Sequence, residues 1–205
     1  MTTLFTYSGA GANENPLAGV WSTVSGFNPF ERISNVLNGT VDSANNGSYV
    51  NSVGDQAACW IQAEVATTTP TSVALWLRCP TGAANGYVFQ VYSGTAQIAR
   101  WDVGSYNVLV SDSAPVTLGD VMYFEAIGDA LVAKINDVEV LSTNDATYAS
   151  GRFALYSYSD VDSFVNVAAG NFGDVKTVNG VPVADVKTIN GVVAGSVKTL
   201  NGVPF

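Results

Sequence analysis

Apolar and polar residues alternate over short segments along most of the chain, which is the pattern of half-buried β-strands. In Arg152–Tyr158, for example, Phe153 and Leu155 would share one face while Tyr156 and Tyr158 share the other. The alternation predicts strands over Ala57–Val65, Ser72–Cys79, Gly86–Tyr92, Ala96–Val103, Val121–Ile127, Leu131–Ile135, Val138–Ser142, Arg152–Tyr158 and Phe164–Ala168.

Turn-forming residues separate these strands at intervals of about 8–12 residues, which favours an antiparallel sandwich or barrel. The turns include Asn85-Gly86, Leu118-Gly119-Asp120, Gly128-Asp129 and Asn136-Asp137. Leu4–Tyr7 and Arg32–Leu37 are weaker strand candidates, and Asn38–Ser52 is predicted to contain strands broken by loops. Because no long segment combines helical spacing with caps, we expect an all-β protein.

The sequence changes after Phe172, where an 11-residue unit recurs as DVKTVNGVPVA, DVKTINGVVAG and SVKTLNGVPF. Each unit carries Asn-Gly between valine-rich arms, which is a strong signal for a β-hairpin. Val178 and Val181 would flank the first turn. The sequence therefore predicts two parts, a β-sandwich over residues 1–172 and a repeat tail over residues 173–205.

The tail is predicted to assemble or to anchor the chain, because so small a ribbon cannot bury its own apolar residues. Three tails around a rotation axis would bury them, so we expect a homotrimer. The oligomerisation residues would be Val175, Val178, Val186, Ile189, Val197 and Leu200. A disordered linker is the alternative, and the high valine content argues against it.

The charge distribution excludes several functions. The chain has a formal net charge of −9, with −10 on residues 1–173 and +1 on the rest. Nucleic acid is therefore not expected as a partner, since phosphate contacts need clustered lysine and arginine. The chain has no histidine, which removes the commonest general base and zinc ligand.

Targeting signals are also missing from the sequence. The N-terminal segment lacks a basic region and an apolar core, so we expect no signal peptide. No apolar run approaches the roughly 18 residues needed to cross a bilayer, so we expect no membrane association. Cys59 and Cys79 are expected as two buried thiols on core strands, with a disulfide possible only if the strands are neighbours.

The order of motifs resembles the concanavalin-A-like lectin and glucanase superfamily, in particular its laminin-G-like members. The resemblance rests on Pro16-Leu17 with Trp21, LWLR at Leu75–Arg78, Gly86-Tyr87, IARW at Ile98–Trp101, YFEAIGD ending at Asp129, AKINDVEV at Ala133–Val140 and GRFAL from Gly151. It implies an antiparallel two-sheet jelly-roll sandwich, in which the GRFAL strand returns to the sheet of the N-terminal strands.

The tail is similar to the VKTINGV-type repeats at the C-termini of bacteriophage structural proteins. This similarity implies a virion protein, assembled in the host cytoplasm, such as a capsid decoration, head-fibre or tail-associated subunit. Other virion proteins and a host surface glycan would then be its partners.

Hydrolysis of glycosides requires two carboxylates at a fixed separation. The retaining hydrolases of the resembled family carry alternating acids on one strand, and this sequence has no such run. Glu125 with Asp129, and Asp160 with Asp162, are the nearest approaches, so we expect no enzyme. Asp160 and Asp162 are also weak candidates for calcium ligands, but no dense acidic loop occurs and no cofactor is expected.

Carbohydrate binding would use exposed aromatic rings on a sheet with polar neighbours. Candidates are Trp101, Tyr106, Tyr156 and Tyr158, whereas Trp21, Trp60 and Trp76 are expected to pack in the core or on a sheet face. The sequence thus favours a non-enzymatic virion protein that displays a lectin-like sandwich, and a stand-alone carbohydrate-binding module is the alternative.

Overall fold

A computed structural model describes residues 1–8, 10–80 and 84–172, together with six two-residue strands of the tail. The described residues form antiparallel β-structure, as the alternation predicts. No helix capable of crossing a membrane occurs among them.

Two antiparallel sheets make up the body. The eight-stranded sheet contains β1 (Thr2–Tyr7), β3 (Phe30–Ile33), β4 (Val36–Gly39), β6 (Cys59–Val65), β11 (Val121–Ile127), β12 (Ala130–Ile135), β13 (Val138–Asn144) and β15 (Ser163–Asn171). The seven-stranded sheet contains β2 (Trp21–Thr23), β5 (Asn46–Val50), β7 (Ser72–Cys79), β8 (Gly86–Tyr92), β9 (Thr95–Asp102), β10 (Ser105–Ser113) and β14 (Arg152–Ser157).

The strand order places distant parts of the sequence side by side. The seven-stranded sheet runs β10-β9-β8-β7-β14-β5-β2, and the other runs β13-β12-β11-β6-β15-β4-β3 with β1 also paired to β15. Strand β14 carries the GRFAL motif and pairs with β5, so it returns to the sheet that holds N-terminal strands. This placement agrees with what the family resemblance implies.

The core lies between the sheets and is filled by alternate residues of each strand. On β14, Phe153 and Leu155 point into it, whereas Tyr156 packs in a separate cluster on the outer face. The predicted separation of the two faces of β14 is therefore confirmed. Trp21, Trp60 and Trp76 are buried, as expected, although Trp76 belongs to the outer cluster.

Both cysteines are buried, which confirms that expectation. Cys59 packs in the core between the sheets, whereas Cys79 packs in the cluster on the outer face of the seven-stranded sheet. The two side chains therefore lie on different sides of that sheet. Burial raises the pKa of each thiol to about 12.

The prediction of a single strand over Arg32–Leu37 was wrong. The segment is the hairpin β3–β4, and it turns at Ser34 and Asn35, whose φ angles are 54° and 67°. Two consecutive residues with positive φ form the tight turn that matches the twist of a hairpin.

A second difference is β10, which the alternation did not predict. Its register shifts between Val108 and Val110, so that Leu109 and Val110 both pack against the core. A bulge of this kind breaks the period of two on which the prediction rested.

The tail contains three short antiparallel ladders. They are β16 (Thr177–Val178) with β17 (Val181–Pro182), β18 (Thr188–Ile189) with β19 (Val192–Val193), and β20 (Thr199–Leu200) with β21 (Val203–Pro204). Val178 pairs with Val181 across the first Asn-Gly, as the hairpin signal predicts. Of the predicted oligomerisation residues, Val175, Val186 and Val197 lie outside the described residues, and Val178, Ile189 and Leu200 lie on the ladders.

Candidate functional site

Five aromatic side chains form a cluster on the outer face of the seven-stranded sheet. Trp101 lies at its centre, with ring centroids 5.2 to 5.6 Å from its four neighbours. Those neighbours are Phe27, Trp76, Tyr106 and Tyr156. We call this cluster the aromatic face.

The strand register brings these rings together. Tyr106 on β10 pairs directly with Trp101 on β9, and Trp76 on β7 pairs with Ala154, two residues before Tyr156 on β14. Because alternate residues of a strand share a face, Trp76 and Tyr156 both point outward. Trp76 and Trp101 stack with their planes 22° apart.

Phe27 reaches the aromatic face from the loop between β2 and β3. It packs over Gly47 of β5, where a β-carbon would lie 2.6 Å from the Phe27 ring. Glycine at this position therefore leaves the space that lets Phe27 cover Trp76 and Tyr156.

A chain of neutral hydrogen bonds crosses the face beside the rings. The Tyr106 hydroxyl donates to Gln90 Oε1 at 2.5 Å, and Gln90 Nε2 donates to Ser72 Oγ at 2.6 Å. The Tyr156 hydroxyl donates to Asn45 Oδ1 at 3.0 Å. Burial raises the pKa of both Tyr106 and Tyr156, so both phenols remain protonated at neutral pH.

A first cleft of about 490 Å³ opens beside Trp101. Its lining residues are Ser25, Gly26, Phe27, Asn45, Ala84, Asn85, Trp101, Val103 and Gly104. Asn85 Oδ1 accepts a hydrogen bond from the Val103 backbone at 2.7 Å, and Asn45 Oδ1 accepts one from Tyr156. With both oxygens engaged, the Nδ2 groups of Asn45 and Asn85 are potential donors in this cleft, since neither has an acceptor among the described residues.

A second cleft of about 270 Å³ lies next to Tyr156 and is lined by Ser72, Gln90, Tyr92, Tyr156 and Tyr158. Residues Tyr92 and Tyr158 are 49% and 40% exposed. Neither this cleft nor the first has an acidic residue among its described lining residues.

Three of the four predicted sugar-binding residues, Trp101, Tyr106 and Tyr156, meet in the aromatic face. The fourth, Tyr158, follows the end of β14 and lines the second cleft. Phe27 and the two asparagines were not predicted, because loop residues carry no periodic signal. Gln90 lies on the predicted strand β8, but a single polar residue on a strand does not mark a binding site.

Asp162, one of the weak calcium candidates, has a structural role. It is fully buried, and its carboxylate accepts hydrogen bonds from the backbone N–H groups of Thr71 at 2.7 Å and Ser72 at 2.8 Å. Burial raises the pKa of this carboxyl, and the two backbone donors oppose that shift. Asp160 is exposed beside it. No group of three or more potential metal ligands occurs in the described part of the chain.

Glu125 and Asp129, one of the two acid pairs nearest to a hydrolase pattern, belong to the eight-stranded sheet and its β11–β12 turn. Glu125 lies within β11 of the eight-stranded sheet, accepts a hydrogen bond from the Tyr123 hydroxyl at 2.7 Å and contacts Lys134 at 3.9 Å. Asp129 follows in the tight turn before β12. Both are on the sheet opposite the aromatic face.

Comparisons with known proteins identify the fold. No protein-family model matches the sequence, and no curated protein matches it. Carbohydrate-binding module CBM66 from Bacillus subtilis is similar in structure, with a TM-score of 0.60 and 18% identity over 74% of this chain and 92% of the module. A prokaryotic β-1,3-1,4-glucanase from a mouse hindgut metagenome gives a TM-score of 0.59 and 10% identity over 82% and 98%.

A third similar structure comes from a virus of bacteria. It is the CBM2 module of the evolved Dit of Lactobacillus casei BL23 phage J-1, with a TM-score of 0.50 and 10% identity over 82% of this chain and 94% of the module. At such identities the similarity establishes the fold alone, which is a concanavalin-A-like, jelly-roll sandwich. Because the similar structures include binding modules and a glucanase, function must be argued from the site.

Proposed function

We propose that this chain is a non-catalytic carbohydrate-binding protein whose glycan lies along the aromatic face. One observation carries the proposal. A cluster of five aromatic rings lies between two clefts whose described linings offer neutral amides and hydroxyls and no carboxylate. Hydrolysis requires two acids across the bond that breaks, so the site favours binding over catalysis.

The chemistry of the site suits a sugar ring. An aromatic ring offers an apolar surface with a negative face, against which the C–H groups of a sugar can pack. Trp101 is partly exposed and is held from beneath by Trp76, so its ring is fixed before a ligand arrives. Such preorganisation reduces the entropy lost on binding.

The polar groups around the rings would fix the orientation of the sugar. The Nδ2 groups of Asn45 and Asn85 are donors in the first cleft, and Ser72 and Gln90 supply polar atoms in the second. A few polar groups within a largely apolar site give orientation and specificity. Two clefts on either side of Tyr156 and Trp101 favour a chain of several sugars over a single one.

A glycan array probed with the full chain, followed by calorimetry on the best glycan, tests this function. We expect Trp101→Ala to abolish measurable binding and Tyr158→Ala, at an exposed position, to weaken it by about 1 kcal/mol or more. Tyr123→Ala on the opposite sheet is the matched control and should bind normally. An array with no hits, or equal binding by Trp101→Ala and wild type, would refute the proposal.

We further propose that the protein acts in a bacteriophage virion, where the repeat tail joins copies into a homotrimer or anchors them to other virion proteins. Three hairpin ladders at 11-residue intervals support this role, because each pairs only two strands among the described residues and a further strand could add to either edge. The similarity of the sandwich to a phage module is consistent with it. The glycan would then be one on the host surface.

Light scattering on the full chain tests the assembly. We expect a mass near three times 21.4 kDa. The triple variant Val178→Asp, Ile189→Asp and Leu200→Asp places charges on all three ladders and should give a monomer with an unchanged glycan affinity. A monomeric wild-type chain would exclude the trimer.

A further inference from the structure

A cleft of about 430 Å³ lies at one end of the sandwich and shares no lining residue with the two clefts of the aromatic face. We call it the Arg78 cleft. It is lined by Ala57, Ala58, Arg78, Gly128, Asp129, Ala146, Tyr148 and Ala149. These residues come from the start of β6, the end of β7, the β11–β12 turn and the loop before β14.

Arg78 is 1% exposed, and its guanidinium contacts two backbone carbonyls and the thiol of Cys59. Its Nε and Nη2 atoms donate to the Ala57 oxygen at 3.1 and 2.6 Å, and Nη1 donates to the Tyr148 oxygen at 2.7 Å. A guanidinium carries five N–H groups, so the three bonds to carbonyls and the hydrogen bond to the Cys59 thiol leave one donor for another acceptor.

Arg78 differs from the other cations of the body. The others each contact an acid, in the pairs Arg32–Glu14 at 3.0 Å, Arg100–Asp145 at 2.6 Å, Arg152–Asp55 at 3.5 Å and Lys134–Glu125 at 3.9 Å. Arg78 has no acid within 4.0 Å among the described residues, although it is more buried than the rest. Buried charges in proteins are normally paired, because desolvation of an isolated charge is costly.

Two titratable groups that interact with the guanidinium, the Cys59 thiol and the Tyr87 phenol, are neutral. Burial raises the pKa of the Cys59 thiol and of the Tyr87 phenol to about 12, and the Tyr87 ring centroid lies 5.9 Å from the Arg78 Cζ atom. The contacts of Arg78 are thus carbonyls, a thiol and an aromatic ring, and Asp129, which lines the same cleft, forms no ion pair with it within 4.0 Å. None of them cancels its positive charge.

We infer that the Arg78 cleft binds a small apolar monocarboxylate, whose carboxylate group lies against the guanidinium. A carboxylate oxygen can accept a charge-assisted hydrogen bond from the remaining N–H group, and exclusion of water strengthens that contact. The four alanines of the lining provide an apolar surface for the rest of the ligand. Asp129 lines the same cleft, and its like charge disfavours anions with a second negative charge.

Amide NMR titration of the full chain with benzoate tests the inference, with neutral benzamide and the dianion phthalate as matched ligands. Benzoate should shift the signals of Ala57, Ala58, Gly128 and Tyr148 in a saturable manner. Benzamide should cause no such shifts, and phthalate should bind more weakly than benzoate. Glucuronate tests whether the carboxylate belongs to a sugar acid instead. Tighter binding of glucuronate than of benzoate would contradict the inference that the ligand is apolar.

Two variants at exposed positions test the site without disturbing the buried arginine. Ala149→Phe fills the cleft and should abolish benzoate binding, whereas Ala10→Phe, an exposed alanine outside the cleft, should leave it intact. Asp129→Asn removes the like charge and should tighten binding about two- to fivefold. Benzoate shifts that survive Ala149→Phe, or weaker binding by Asp129→Asn, would overturn the assignment.

Discussion

The hydrogen bonds of Asp162 should account for a large share of the stability of the sandwich. Its carboxylate is fully buried and accepts two backbone N–H groups at the start of β7. A hydrogen bond to a charged group contributes about 1.5–3 kcal/mol. Asp162→Ala loses both bonds, so we expect the free energy of unfolding to fall by about 3–6 kcal/mol, and Asp162→Asn, which keeps one acceptor, by about half of that.

Urea denaturation with a thermal melt measures this loss. For a chain of this length the change corresponds to a fall in Tm of about 6–24 °C. Asp160→Ala, two residues away and exposed, is the matched control and should change stability by less than about 0.5 kcal/mol. Excess calcium and EDTA should give the same Tm. A loss below about 1 kcal/mol for Asp162→Ala, or stabilisation of wild type but not of Asp162→Asn by calcium, would refute the reasoning.

Two further predictions concern buried groups. The pKa of the Cys59 and Cys79 thiols is about 12 in the native state, against 9.0 when unfolded. The stability that the buried, protonated thiols contribute is therefore fully present below pH 9 and is lost as the pH rises toward 12. The urea midpoint should be lower at pH 11 than at pH 8. In a second experiment, a thiol reagent at pH 8 should label the native chain no faster than the chain unfolds, and faster labelling would contradict the burial of the thiols. Gly86→Ala should cost at least about 1–3 kcal/mol, because a β-carbon there would lie 2.7 Å from both the Leu77 oxygen and Trp76 Nε1 at a φ of 120°. Gly54→Ala, which meets nothing within 4 Å, is the control, and equal urea midpoints for the two variants would contradict this packing.

The strands that the sequence predicts best are those with regular alternation between clear turns. Ser72–Cys79, Gly86–Tyr92 and Val121–Ile127 match the structure at both ends. In each, β-branched and aromatic residues fill the strand and a turn residue bounds it, so local and tertiary preferences agree.

The prediction failed where local geometry departs from the strand period. The bulge at Leu109 places neighbouring residues of β10 on the same side, and the turn at Ser34-Asn35 contains no glycine to mark it. Serine and asparagine tolerate positive φ at some cost, and tertiary pairing of β3 with β4 stabilises the turn.

The sequence predicted only some of the residues of the candidate site. Trp101, Tyr106 and Tyr156 are aromatic residues on predicted strands or next to them, so composition alone drew attention to them. Phe27, Asn45 and Asn85 lie in loops that the strand order brings to Trp101. That order follows from long-range pairing, such as β14 between β7 and β5, which no local pattern encodes.

An amide NMR titration with the best glycan from the array tests the glycan site most directly, because it reports which residues the sugar touches. We predict saturable shifts for the side-chain amides of Asn45, Asn85 and Gln90 and for the indole N–H of Trp101. The backbone signals of the eight-stranded sheet and of the tail should not move. Shifts confined to those regions, with the aromatic face unchanged, would contradict the proposed function.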